Sequence, residues 1–209
     1  NSLGQLDAAV KRYEQALAIK PDYAEAFNNL GNTLKEFRQL DAAVQHYEQA
    51  LAIKPGYADA HNNLGVTLKN LGQLDAAVKH YVQALAIKPD HAEVHNNLGV
   101  TLQELSQLDA AVKHYETALA INPDYAEAHN NLGNTSKELG QLEMAVKSYE
   151  RALGIKPDFS EAHSNLGVVF HDFGQLDEAV KSYERALAIK PDYPEAHSNL
   201  ASTLHILGQ

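Results

Sequence analysis

Residues 24–57 read AEAFNNLGNTLKEFRQLDAAVQHYEQALAIKPGY, and two amphipathic helical patterns divide the stretch between them. In its first half Phe27, Leu30, Gly31, Leu34 and Phe37 recur at helical spacing and make one apolar stripe. In its second half Leu40, Ala43, Val44, Tyr47, Ala50, Leu51 and Ile53 do the same. Pro55 stops the second helix, because proline disfavours helical geometry in the residue before it. Lys54, next to that proline, sits at the helix end whose dipole favours a cation.

The unit repeats. Prolines stand at 21, 55, 89, 123, 157 and 191, each 34 residues after the last, and only Pro194 falls outside the series. In a chain of 209 residues a fixed period near 34 predicts an array of helical hairpins, not one or two globular domains. Small residues recur where the two helices should cross: Gly31, Gly65, Gly99, Gly133 and Gly167, with the Ala43 and Ala50 columns. Facing them is a large residue in every copy, Tyr13, Tyr47, Tyr81, Tyr115, Tyr149 and Tyr183. Pairing small with large is what close helix approach requires at crystal-like packing density. The turn between the helices carries Gly4, Gly72, Gly140, Gly174 and Gly208, suited to a left-handed helix end. Arg38 and Ser106 replace that glycine, with an expected cost in strain. One hairpin cannot bury its own stripe, so hairpins must stack on their neighbours. The expected fold class is all-α, an α-solenoid of 34-residue antiparallel hairpins.

His61-x2-Leu64-Gly65-x2-Leu68, then Ala77-x3-Tyr81, then Pro89 follows the tetratricopeptide pattern W-x2-L-G-x2-Y, A-x3-F, P. The chain resembles a tetratricopeptide array over its whole length, which implies a right-handed superhelix. Departures are local: His or Phe27 stands at the usual Trp, Ser136 at an apolar position and Ala201 at the last small site. The phase of the motifs places full repeats at 24–57, 58–91, 92–125, 126–159 and 160–193. Partial repeats lie at 1–23 (the end of a first helix, then a complete second one) and 194–209 (a first helix ending at Gly208-Gln209). Neither end carries a polar capping helix, so the chain reads as a segment of a longer array. Its uncapped ends, one beginning Ser2-Leu3-Gly4-Gln5-Leu6, could associate head to tail between copies.

Composition removes several function classes. With no Cys, neither a disulfide framework nor a thiolate metal site can form. No apolar run approaches 18 residues, so no membrane span is expected, and no signal-peptide pattern opens the chain. A net charge of −10 lacks the electrostatic footprint of a nucleic-acid binder. No phosphate loop, nucleophile elbow or paired-carboxylate site is present; catalysis and cofactors are not expected, and the cytoplasm is the default location. Pairs such as Asp75–Lys79 and Glu143–Lys147 read as a solvated helix face. His91 and His95 have i, i+4 spacing, but no third ligand is evident and no metal is expected. His61, His95, His129, His163 and His197 read as packing residues between helices. His46, His80 and His114 should face solvent.

The distinctive chemistry is amide. On a helical wheel at about 100° per residue, Glu25, Asn29, Asn32 and Glu36 oppose the apolar stripe, with Asn28 and Lys35 flanking. The resemblance places that face on the concave surface of the array. Its column is Asn29, Asn63, Asn97, Asn131, Asn165 and Asn199 without exception, accompanied by Asn28, Asn62, Asn96 and Asn130 and by Asn32 and Asn134. Asn in mid-helix costs roughly 0.5–0.7 kcal/mol against Ala, so the six of the Asn29 column and the four of the Asn28 column together forgo about 5–7 kcal/mol. In return each offers one acceptor and two donors on a short uncharged stem, able to bond the C=O and N–H of an extended peptide. The ladder resembles that of O-linked N-acetylglucosamine transferases, which implies protein substrates held through their backbone. The catalytic domain of those enzymes is not in this sequence.

The expected function is therefore a protein-interaction scaffold that binds extended peptide or protein partners through these asparagines. Two other readings stand beside it: a structural spacer or self-assembling solenoid, with Asn bonding between neighbouring helices, and the substrate-recruiting arm of a glycosyltransferase. A carboxylate clamp of Lys and Arg is not in place, since the first helices open with Glu25, Asp59, Glu93, Glu127, Glu161 and Glu195. That acidic row could favour a basic partner, although acids in a first helical turn equally suit the dipole.

Overall fold

The computed structural model describes residues 2–208, with side chains from Leu6 onward. Twelve helices and no strand occur among the described residues. They are α1 (Ser2–Ile19), α2 (Ala24–Glu36), α3 (Leu40–Ile53), α4 (Ala58–Asn70), α5 (Leu74–Ile87) and α6 (Ala92–Glu104), then α7 (Leu108–Ile121), α8 (Ala126–Glu138), α9 (Leu142–Ile155), α10 (Ser160–Asp172), α11 (Leu176–Ile189) and α12 (Pro194–Leu207). They fall into two compact units, residues 1–105 and 106–209.

In the first unit α2 pairs with α3 and α4 with α5 as hairpins, while α1 packs on α2, α3 on α4 and α5 on α6. The second unit repeats the scheme: α8/α9 and α10/α11 are hairpins, α7 packs on α8, α9 on α10 and α11 on α12. Within each unit, then, hairpins stack on their neighbours as a solenoid.

The glycine and tyrosine columns meet as the spacing predicts. A Cβ added to Gly31, Gly65, Gly133 or Gly167 would lie 2.6–2.7 Å from a ring carbon of Tyr47, Tyr81, Tyr149 or Tyr183. Ordinary van der Waals contact starts at 3.4 Å, so only glycine admits the ring. Each ring is flanked by fully buried alanines, such as Ala43 and Ala50 around Tyr47. Ser136 occupies the place of Leu34, Leu68 and Leu102, and its buried hydroxyl has no hydrogen-bond partner among the described residues.

The turns explain their own sequence. Gly72 has φ +75°, its N–H donates to Lys69 O at 2.9 Å, and the Gln73 N–H donates to Leu68 O at 2.9 Å, a Schellman end. Gly140, Gly174 and Gly208 share the left-handed conformation. Arg38 (φ 58°) and Ser106 (φ 59°) are forced into it too, at about 1–2 kcal/mol each. At the other end of each hairpin Lys54 is extended (φ −132°), as a residue before proline should be.

Gly4 departs from expectation. It lies within α1, not in a turn. A left-handed residue is needed only where one helix ends and reverses onto another, and Gly4 stands inside a continuous helix. Asn1 and Gln209 lie outside the described residues, as do the side chains of Ser2 to Gln5. No described helix is long and apolar enough to cross a membrane.

Candidate functional site

The asparagines stand on α2, α4 and α6 in the first unit and on α8, α10 and α12 in the second. On α2, α4, α8 and α10 the glycine–tyrosine contact sets the helix's rotation and leaves Asn29, Asn63, Asn131 and Asn165 on the opposite side. Thr four residues later donates to the ladder residue's backbone carbonyl: Thr33 to Asn29 O (3.0 Å), Thr67 to Asn63 O (2.8 Å) and Thr101 to Asn97 O (2.9 Å). Thr135 and Thr203 do so to Asn131 O (3.1 Å) and Asn199 O (2.8 Å). These Thr hydroxyls bond the backbone carbonyl and not the amide side chain.

The two columns differ sharply in exposure. Asn28 is 4 % exposed and Asn62, Asn96 and Asn130 are each 7 % exposed. The Asn29 column is open instead: Asn29 is exposed, and Asn63, Asn97, Asn131, Asn165 and Asn199 are half-buried. The inner column is thus withdrawn from any ligand, contrary to the expectation that it would touch a peptide. A short side chain on the flank of the wheel is covered once the next hairpin stacks.

The columns are joined by hydrogen bonds between successive first helices. In the first unit Asn63 Nδ2 donates to Asn28 Oδ1 (3.0 Å) and Asn97 Nδ2 to Asn62 Oδ1 (3.1 Å). In the second, Asn165 Nδ2 donates to Asn130 Oδ1 (3.2 Å) and also to Asn134 Oδ1 (3.0 Å). Each bond satisfies a buried acceptor that would otherwise stay desolvated. After it, Asn63 and Asn97 each retain one N–H and an Oδ1 that bond nothing among the described residues, while Asn165 retains only its Oδ1.

Asn32 and Asn134 serve the core. Tyr47 Oη donates to Asn32 Oδ1 (2.7 Å) and Tyr149 Oη to Asn134 Oδ1 (2.8 Å). In the α4/α5 hairpin the equivalent position is Val66, and Tyr81 Oη is buried without a hydrogen-bond partner among the described residues. The Thr101 hydroxyl acts on that phenol electrostatically but falls short of bonding geometry. Burial raises the pKa of Tyr47, Tyr81 and Tyr149 well above the usual phenol value and that of Tyr183 to about 12.

The acidic row is partly engaged. Lys54 Nζ lies 2.9 Å from Glu25 Oε1 and Lys156 Nζ 3.2 Å from Glu127 Oε1. The Lys54 hydrogen bond holds the Glu25 carboxyl below its ordinary pKa, and Lys54 is raised by the same contact. Lys54 also sits 4.6 Å from the Tyr57 ring centroid, as Lys156 does over Phe159 at 4.7 Å.

The histidines have roles that column-by-column reading missed. His61 Nε2 bonds Pro55 O (3.1 Å), His95 Nε2 bonds Pro89 O (2.9 Å), and His129, His163 and His197 do the same to Pro123, Pro157 and Pro191 O (3.0, 3.0 and 2.8 Å). Each ring pins the loop that precedes its own helix; the signal was the constant Pro-x5-His spacing. His46, His80 and His114 are half-buried, not solvent-facing. His46 stacks on Phe27 at 5.9 Å between ring centroids, and His80 lies tilted against His61 at 5.4 Å, because their position on the second helix faces the aromatic column of the first. Desolvation, and then the neighbouring His61, lower the His80 pKa. No group of three or more metal-ligating side chains occurs among the described residues.

Sequence profiles for the TPR repeat match residues 1–36, 39–72 and 169–208, and those for the tetratricopeptide repeat match 56–124 and 90–158. No curated protein matches the chain. Among solved structures, MamA is 26 % identical with a TM-score of 0.71, over 78 % of this chain and 95 % of its own. TTC0263, described as a thermophilic TPR protein in Thermus thermophilus, is 27 % identical with a TM-score of 0.68, over 87 % of this chain and 98 % of its own. YrrB, described as a TPR protein with an unusual peptide-binding site, shares the fold at 22 % identity and a TM-score of 0.71, over 89 % of this chain and 96 % of its own.

Proposed function

The chain belongs to the tetratricopeptide-repeat family of protein-interaction scaffolds, and on that premise we propose that it holds an extended segment of a partner protein along its outer asparagine column. The observation that carries the reading is the leftover hydrogen-bonding capacity of that column. Asn63 and Asn97 each give one N–H to the buried inner asparagine of the preceding repeat and keep a donor and an acceptor. That complement matches one peptide unit of a partner backbone, so affinity comes from the main chain and depends little on side chains. The inner column positions the outer amides and does not itself meet the ligand.

Charge adds a weaker preference. A net charge of −10 draws basic partners at long range, but Glu25 and Glu127 already face lysines of this chain. The partner is therefore any extended segment able to present its backbone, with basic ones captured faster at low salt.

Peptides selected from a displayed random library on the wild-type protein provide the probe, with affinity read by fluorescence anisotropy. Asn63→Ala with Asn97→Ala should weaken binding at least tenfold, about 1.4 kcal/mol, while helicity by circular dichroism is kept. Asn28→Ala removes the inner partner of Asn63 and leaves the outer amide present but no longer held, so it should cost stability and weaken binding far less than the double change does. Equal loss of binding in both variants, in step with stability, would assign the asparagines to inter-repeat register alone.

A further inference from the structure

His61 on α4 and His80 on α5 bring two ring nitrogens together, with Nδ1 to Nδ1 at 3.1 Å. The His61 Nε2–H is committed to Pro55 O at 3.1 Å, which leaves Nδ1 as the nitrogen with the free lone pair. An imidazole whose other N–H is held by a backbone carbonyl is the usual second-shell arrangement of a metal-ligating histidine. We propose that His61 Nδ1 and His80 Nδ1 form a two-histidine site for a borderline divalent transition metal such as Zn2+, Ni2+ or Cu2+.

The geometry fits such an ion. Metal–imidazole bonds of about 2.05 Å to nitrogens 3.1 Å apart subtend about 98° at the metal, between the octahedral and tetrahedral values. Without metal, the His80 Nδ1–H donates to His61 Nδ1. With metal, that proton moves to His80 Nε2, which bonds nothing among the described residues, and both rings stay neutral. Both histidines are half-buried, so solvent reaches the site. No third His, Asp or Glu joins them among the described residues, so the remaining positions fall to water or to a group from a partner. Imidazole as the sole protein donor excludes Mg2+ and Ca2+, which take oxygen ligands.

Three other copies lack the pair. In the first copy the ring facing His46 is Phe27, and in the last two the second-helix position is Ser148 or Ser182, opposite His129 or His163. The sequence repeats both residue types once more, at His95 and His114.

The test is a calorimetric titration of chelator-treated protein with ZnCl2, and separately NiCl2. His80→Ser introduces the residue that two copies already carry there, so folding should be retained, which circular dichroism checks. Wild type should show saturable binding, and His80→Ser should bind one metal fewer per chain, while His46→Ser binds as wild type does. In 15N-resolved imidazole spectra, Nδ1 of both His61 and His80 should shift on metal addition. No saturable binding, or unchanged stoichiometry in His80→Ser with the metal carried by a surface pair such as His91 and His95, would overturn the assignment.

Discussion

Replacing each core tyrosine by phenylalanine should change stability with opposite sign in different hairpins, although the rings are packed alike. Tyr47 and Tyr149 donate to Asn32 and Asn134 at 2.7 and 2.8 Å, so Tyr47→Phe and Tyr149→Phe each lose a formed hydrogen bond. The expected cost is about 0.5–1.5 kcal/mol. Tyr81 buries its hydroxyl with no partner among the described residues. Tyr81→Phe removes a desolvated group that returns nothing, and the relief is about 1–3 kcal/mol. The converse change is Val66→Asn, which supplies the acceptor that Asn32 and Asn134 provide elsewhere. Asn134 also accepts from Asn165 at 3.0 Å, so an amide at position 66 should engage Asn97 of the next repeat as well. The assay is equilibrium urea denaturation followed by far-UV circular dichroism, with a double-mutant cycle on Val66→Asn and Tyr81→Phe. The gain from Val66→Asn should shrink by at least about 0.5 kcal/mol in the Tyr81→Phe background. If Tyr81→Phe costs as much as Tyr47→Phe, or the cycle shows no coupling, the orphaned hydroxyl is not the reason.

Arg38→Gly and Ser106→Gly relieve left-handed backbone at φ 58° and 59°, and each should raise the urea midpoint by the equivalent of about 1 kcal/mol. Alkaline titration should destabilise the fold from about pH 10 upward: the unfolded phenols ionise there, while buried Tyr47, Tyr81 and Tyr149 hold their protons. The unfolded state then binds fewer protons, so stability falls as pH rises, and a melting temperature flat through pH 11 would contradict this. Head-to-tail association would bring Tyr13 of one copy against Ala201 of another, in a column where an added Cβ lies 2.6–2.7 Å from the ring. Ala201→Gly should therefore increase self-association in sedimentation velocity, and no change would show that the ends do not meet this way.

The helices, their partners within each unit and the glycine–tyrosine contact could be read from the sequence because each depends on one residue type recurring at one spacing. Gly31 opposite Tyr47 is such a case: small and large columns with the same period must face each other. The strain at Arg38 and Ser106 was legible for the same reason, as a gap in a glycine column. The site was harder, since its bonds join different columns across repeats, Asn63 to Asn28 and His61 to Pro55. Position 28 lies on the flank of the helical wheel, and a wheel drawn for one helix does not show what the next hairpin covers. Burial of Asn28, Asn62, Asn96 and Asn130 follows from stacking and not from helical phase. His46 and His80 were misplaced for a related reason: their exposure depends on the ring facing them from the other helix of the hairpin.

The amide network also changes what the asparagines imply. The stability forgone by asparagine in mid-helix pointed to selection for binding, yet part of it is returned. Asn63–Asn28, Asn97–Asn62 and Asn165–Asn130 are formed bonds between successive repeats, each contributing about 0.5–1.5 kcal/mol net. Cost alone therefore no longer separates a binding surface from a register device. Leftover valence does. A purely structural amide pair needs one donor and one acceptor, and a hydroxyl could complete it, as Ser164 stands in the inner column before Asn199. The outer residue stays Asn there even though its inner amide partner is gone, and it remains half-buried beside the open face. An outer column kept as asparagine where the inner one is not is what the proposed backbone-reading surface predicts.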